Sequence, residues 1–392
     1  MIIIDGHQDL AWNMLTFGRD YTRSVAETRR LEAGLPVETQ AGVSLLGWPE
    51  FQLGQVAVIF ATLFVTPERW RTGAWDTQVY SDDDQAARLY RAQLDSYQRL
   101  VDEYPDHFQL IQRRADLQTV LAGWQDIPLD RYELSARGAF LDEQVPDEQA
   151  AGEPDGAEHP ARKVGLVLLM EGAEGVREPG ELEVWWAKGV RIIGPAWAGT
   201  RFCGGTREPG PLTKDGYALL DGMAALGFIL DVSHMDEMAA LQALDTYSGA
   251  VVASHANVQS LLKGQDSNRH LSERVIHGLI ERQAVIGVMP LNQFLQAGWK
   301  SGDRRALVTL DRLIAHIDSI CQTAGDAQHV ALGSDFDGGF GLQNVPAEID
   351  TIADLRKLIP MLAERGYSED NIAAILGQNW ARLLQLHLPE QA

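Results

Sequence analysis

Cysteine is nearly absent from this 392-residue chain, which has only Cys203 and Cys321. Two are too few for a disulfide framework or a thiolate zinc site. Basic residues are scarce as well: 33 Lys and Arg stand against 55 Asp and Glu, a formal charge of −22. A chain so short of cations argues against nucleic acid or an anionic membrane surface as its main partner. Long hydrophobic runs are also missing, and the longest apolar stretches fall far short of the ~20 residues of a membrane helix. Met1 leads directly into Ile2-Ile3-Ile4-Asp5-Gly6 without a basic n-region or a long apolar h-region. The final Leu388-Pro389-Glu390-Gln391-Ala392 carries no hydrophobic tail. A soluble cytoplasmic protein is therefore the expectation.

What is present is apolar material for a large core, 45% of all residues. Short Val- and Ile-rich runs recur at residues 2–7, 56–65, 164–171, 190–197, 227–234, 250–255, 284–291 and 329–335, and read as buried strands. Helical patterns at 215–226, 236–247, 271–283, 304–324 and 351–365 alternate with them. This alternation predicts a parallel sheet with right-handed crossovers, and eight strands predict a (β/α)8 barrel with insertions. A doubly wound sheet is the runner-up. The whole of 1–392 reads as one domain with insertions over about 66–163. Within these, helices are expected near 83–104 and 115–124 and an extra strand at 108–112. Residues 141–163, with seven acidic side chains and three prolines, read as a solvated loop on the barrel face away from chemistry.

An active site on such a barrel forms at the C-terminal ends of the strands. The first strand ends Ile4-Asp5-Gly6-His7-Gln8-Asp9, with His7 and Asp9 two apart and so on one face. Asp9 has a second reading as a helix cap. The third strand ends in Glu171 after a mostly apolar run, and a buried carboxylate needs a partner or a metal. The fifth and sixth strands both end in Ser-His, at His234 and His255, close enough across adjacent strands to share an ion. The eighth ends Gly333-Ser334-Asp335-Phe336-Asp337-Gly338, where Asp335 occupies the strand end and Asp337 reads as a turn residue closing on its own backbone. Three histidines and three carboxylates exceed the needs of one open ion. They fit two divalent ions bridged by one carboxylate, with an activated hydroxide between them.

The segments Asp5-Gly6-His7-Gln8-Asp9, Glu171-Gly172, Asp231-Val232-Ser233-His234, Ser254-His255 and Gly333-Ser334-Asp335-Phe336-Asp337-Gly338, with Gly377-Gln378-Asn379-Trp380-Ala381-Arg382-Leu383 near the end, resemble the membrane (renal) dipeptidase family of zinc metallopeptidases. Order and spacing match from residue 2 to about 386. The resemblance implies that His7 and Asp9 hold one zinc, that His234 and His255 hold the other, and that Glu171 bridges them. It further implies that Asp335 carries the proton from the attacking water to the departing amine, and that Arg269 binds the substrate's terminal carboxylate. The alternative for Arg269 is a solvent-facing loop charge.

The resemblance implies hydrolysis of the peptide bond of a dipeptide, substrates with a C-terminal D-residue among them. A homodimer is the assembly considered. One departure stands out, because the alignment puts Trp197 where the family carries a histidine that contacts the reacting carbonyl. An indole donates one hydrogen bond and cannot titrate. This leaves two further readings open, a hydrolase of N-acyl amino acids or another small amide, and a non-catalytic metal-binding barrel. A carboxylated-lysine bridge is not expected, since no Lys ends a strand. The Gly199–Gly216 loop is a candidate lid. Trp48, Trp70, Trp75 and Trp299 are candidates for lining a pocket, with ordinary packing as the alternative.

Overall fold

The computed structural model describes residues 1–124, 162–265 and 267–390. Eight strands lie parallel: β1 (Ile3–Gln8), β2 (Val56–Phe64), β3 (Val164–Glu171), β4 (Val190–Gly194), β5 (Ile229–Asp231), β6 (Val251–Ala253), β7 (Val285–Val288) and β8 (Val330–Leu332). They are bonded in the ring order β2-β1-β8-β7-β6-β5-β4-β3. The ring closes through β2 and β3, paired from Val58↔Gly165 to Phe64↔Glu171. Closure excludes the doubly wound alternative and makes the fold a (β/α)8 barrel. Both faces of each strand are covered, so each expected run of Val and Ile is a strand buried throughout or nearly so.

Several strands end earlier than their apolar runs suggest, for local reasons. After β5, Ser233 N–H donates to its own neighbour's side chain, Asp231 Oδ1, at 3.0 Å, an Asx turn that leaves the ladder. After β8, Asp335 has φ +53°, a left-handed conformation that cannot continue a strand. The extra strand in the insertion, Phe108–Leu110, pairs with the start of β3 at Val164–Leu166. It has room there because β4 begins only opposite Leu168. Of the acidic 141–163 segment, residues up to 161 lie outside the described residues. No described helix is long and apolar enough to cross a membrane.

The helix Asp83–Glu103 shows how an insertion serves the barrel. Asp82 caps it, accepting from Gln85 N–H at 2.7 Å, and Asp83 and Asp84 suit the positive end of its dipole. Its inner face carries Tyr90 and Tyr97. Tyr97 O–H donates to Thr62 O at 2.9 Å and Tyr90 O–H donates to Glu171 O at 2.7 Å. The ends of β2 and β3 are thereby fixed from outside. At the chain's end, Trp380 on the helix Asn379–His387 donates its indole N–H to Leu332 O at 2.9 Å, fixing the end of β8.

Inside the ring the Ser254 carbonyl fits only because its neighbours lack side chains. A Cβ at Gly333 would sit 1.9 Å from Ser254 O, and one at Gly287 would sit 2.0 Å away. Gly333→Ala is expected to cost about 1–3 kcal/mol of stability through overpacking, read as a lower midpoint in urea unfolding. An unchanged midpoint would show that the Ser254 backbone is not held there.

Candidate metal centre

The structure brings His7, Asp9, Glu171, His234, His255 and Asp335 together at the C-terminal mouth of the barrel. His7 Nε2 lies 3.7 Å from Glu171 Oε2, 4.0 Å from Asp9 Oδ1 and 3.9 Å from Asp335 Oδ1. On the other side of the same carboxylate, Glu171 Oε1 is 2.9 Å from His234 Nε2 and 3.5 Å from His255 Nε2. The two imidazole Nε2 atoms are 2.9 Å apart. Among the described residues three candidate ligand sets result, His7–Asp9–Glu171, Glu171–His234–His255 and His7–Asp231–His255; the first two share only Glu171.

These residues fit divalent cations. A tetrahedral shell with bonds of ~2.0–2.1 Å has edges of roughly 3.3 Å, within the 2.9–4.0 Å range of the spacings here. His7 Nε2 and Glu171 Oε1 are buried and make no directional hydrogen bond, a costly state unless something else satisfies them. Each histidine is also turned for the task. His7 Nδ1 and His255 Nδ1 meet Ser254 Oγ at 3.3 and 2.8 Å, and His234 Nδ1 meets Thr206 Oγ1 at 2.9 Å. Every Nε2 is thereby left for the centre, as a metal-binding histidine requires.

Some of these supports were not read from the sequence. Asp231 accepts from Ser233 N–H (3.0 Å) and O–H (2.6 Å), and from Ser254 N–H (2.9 Å) and O–H (2.5 Å). It also lies near His7 and His255, but four donors already occupy its carboxylate. A charged residue ending β5 was the available signal. Thr206 gave none, because its place depends on the hairpin of Cys203–Gly205 with Glu208–Leu212 within the expected lid loop.

Other expectations need correction. Asp9 precedes the helix Leu10–Phe17, yet its side chain caps nothing; its Oδ1 instead meets Thr62 Oγ1. Asp337 is the expected turn residue, with φ +62°, but its side chain does not close on its own backbone. It is fully buried and accepts from Leu45 N–H (2.9 Å), Ser44 O–H (2.9 Å) and Tyr21 O–H (3.2 Å), with Arg19 Nη1 at 3.2 Å. At zero exposure a carboxylate needs that many donors. Arg269 is not a solvent-facing charge but 3% exposed, donating to Ser233 O and His255 O at 2.7 Å each.

A cavity of about 700 Å³ opens over the centre, lined by Glu171, His234, His255, Arg269, Asp335 and Trp197 among others. Trp197 is half-buried, its ring 6.2 Å from that of His234. Trp70 and Trp75 line the cavity too. Trp48 instead packs on His107, with ring centroids 4.2 Å apart, and Trp299 is buried in the core.

Charge is distributed unevenly across the centre. Burial opposes protonation of His7, but Glu171, Asp9 and Asp335 outweigh it and lift the imidazole to about 10. Burial, with the Arg269 cation, lowers His234 to about 4. Burial likewise lowers His255, helped by the cations around it. Burial raises Asp9 to about 6 and Asp335 well above the ordinary carboxylate range. Glu171 would be raised by burial too, yet His7 and His234 hold it well below that range.

A family model described as membrane dipeptidase (peptidase family M19) matches residues 147–387, more than half of the chain. A Klebsiella pneumoniae protein encoded in the pqqA 5′ region is 34% identical over 57% of this chain and 82% of its own. The dipeptidase tcpJ of Claviceps purpurea is 26% identical over 56% of this chain, and the match spans about half (51%) of the Claviceps protein. A metallo peptidase of Rhodobacter sphaeroides, solved with a phosphinate mimic of L-Ala-D-Ala, superposes with a TM-score of 0.70 at 21% identity, over 99% of each chain. At that identity the likeness speaks to the fold.

With its raised value, His7 keeps its proton at pH 7.5 in the metal-free protein, whereas His234 and His255 are already neutral. Zinc binding at that pH is therefore expected to expel a proton from His7, and affinity is expected to rise with pH. Calorimetric titration in buffers of different ionisation enthalpy reads this directly. Binding without proton release would contradict a protonated His7 in the metal-free centre.

Proposed function

The chain belongs to the membrane dipeptidase family and is a metallopeptidase of it; on that premise we propose that it cleaves dipeptides using two zinc ions, with Glu171 as the shared ligand. His7 and Asp9 would hold one ion, and His234 and His255 the other. The observation that carries this reading is the division of one carboxylate, with Oε2 facing His7 and Oε1 facing His234 and His255. When bound, such ions polarise the amide carbonyl and let water ionise near neutral pH.

The chain's own groups do the rest. Asp335 takes the proton from the attacking water and delivers it to the departing amine nitrogen. Its raised proton affinity and its position 3.9 Å from His7 Nε2 suit that shuttle. Arg269 binds the substrate's terminal carboxylate. A guanidinium carries five N–H donors, and the bonds to the Ser233 and His255 carbonyls leave others for the cavity it lines. Those two carbonyls follow β5 and β6, so the arm that reads the carboxylate is fastened to the strands that supply two ligands. A C-terminal D-residue belongs to the proposal, supported by the L-Ala-D-Ala mimic bound to the Rhodobacter protein.

A second reading, hydrolysis of N-acyl amino acids, is favoured by Trp197, which sets an indole on the cavity wall where the family resemblance calls for histidine.

Asp335→Asn is expected to lower kcat about 10²–10⁴-fold while leaving two zinc ions per chain by elemental analysis. Retained turnover would remove Asp335 from the mechanism. Trp197→His is expected to change the ratio of dipeptide to N-acyl amino acid turnover at constant metal content. An unchanged ratio would show that position 197 does not read the substrate.

A further inference from the structure

The cavity has two unlike ends, set by the ring order of the strands. Arg269 follows β6, and β2 lies four places away in a ring of eight, directly across the mouth. On that far side stand Phe64, the last residue of β2, and Trp75 in the segment after it. Beside them is Trp12, three residues beyond Asp9 on the helix after β1. All three line the cavity.

These side chains form an apolar cluster separate from the barrel core. Trp12 and Trp75 meet with centroids 6.2 Å apart, Phe17 lies 5.4 Å from each of them, and Phe64 packs on Trp197 at 5.3 Å. Phe64, Trp75 and Trp197 are each only half-buried. Aromatic surface is therefore left open toward the cavity beside a highly charged centre. Rings held in edge-on and tilted contact keep their shape without a ligand, so the wall is preformed. At about 700 Å³ the cavity lies within the ~300–1,000 Å³ range that encloses a drug-sized molecule, larger than a peptide of two small residues requires.

Resting on the dipeptidase reading, in which Arg269 holds the terminal carboxylate and Glu171 marks the position of the scissile bond, we propose that the residue on the amino side of that bond carries a large aromatic side chain. It seats between the Phe64–Trp197 pair and the Trp12–Trp75 pair. The enzyme is thus specific for dipeptides whose first residue is aromatic. Trp75 is the specificity-determining residue: of the Trp12–Phe17–Trp75 contact only Trp12 and Trp75 line the cavity, and Trp12 is buried whereas Trp75 is half-buried.

The zinc-loaded protein tests this with Phe-, Trp-, Ala- and Lys-first dipeptides sharing one second residue. Phe- and Trp-first peptides are expected to exceed the Ala-first peptide about tenfold or more in kcat/KM, the gain from removing a ring from water. Trp75→Ala is expected to cut that ratio to within about threefold, mainly through KM. Equal rates in the wild type, a preference for the Lys-first peptide, or a ratio untouched by Trp75→Ala would overturn the proposal. If no dipeptide is hydrolysed, the dipeptidase reading fails by itself and binding decides the rest. Calorimetric titration with 3-phenylpropionyl-glycine against acetyl-glycine would still show tighter binding of the aromatic compound if the wall is a subsite, and equal binding if it is not.

Discussion

Glu171 ends an otherwise apolar strand with its carboxylate almost fully buried, and three imidazoles converge on it. A carboxylate withdrawn from water is tenable only when cations or donors replace the lost hydration. Here the surrounding groups leave that need partly unmet. His234 and His255 face one another through Nε2 atoms 2.9 Å apart, and burial keeps both neutral. Asp9 and Asp335 crowd Glu171 as further carboxyls, and burial raises the proton affinity of both. A pair of divalent cations would resolve each of these conflicts at once, which is why the geometry reads as a metal centre rather than a structural ion-pair network.

The other carboxylates at the barrel mouth sharpen that contrast. Asp5 accepts from Ser334 N–H and O–H and from Gln8. Asp231 is filled by two serines, and Asp337 by Arg19 and three further donors. These three tie strand ends and loops together and have little left to offer a ligand. Asp9, Glu171 and Asp335 keep unclaimed oxygen lone pairs and point into the cavity. Burial alone does not separate structural from chemical carboxylates here; the census of hydrogen bonds does. The Ser254 hydroxyl joins the two groups, since it is tied to Asp231 and touches both His7 and His255.

Much of this was legible in the sequence because a parallel barrel writes itself as buried Val and Ile runs and puts chemistry at their ends. All eight strands and the six converging side chains follow from those two rules. The exact strand ends did not, because an Asx turn at Asp231 and a left-handed Asp335 are set by local hydrogen bonding and backbone sterics that apolar periodicity does not record. The side-chain partners of Asp337 were missed because Arg19, Tyr21 and Ser44 lie some 300 residues away in the chain. Of the cavity wall, Trp70 and Trp75 were candidates from the sequence, but the grouping of Trp75 with Trp12 and Phe64 was not legible, for a similar reason. Trp12, Phe64 and Trp75 come from a helix, a strand end and a loop with no shared period, and only ring closure sets them opposite Arg269.

The central claim is that Glu171 is shared by two cations, and anomalous diffraction from crystals grown with zinc tests it most directly. The account predicts two peaks per chain, one within bonding distance of His7, Asp9 and Glu171, the other within bonding distance of Glu171, His234 and His255. A single peak, or peaks that leave Glu171 unbound, would contradict it.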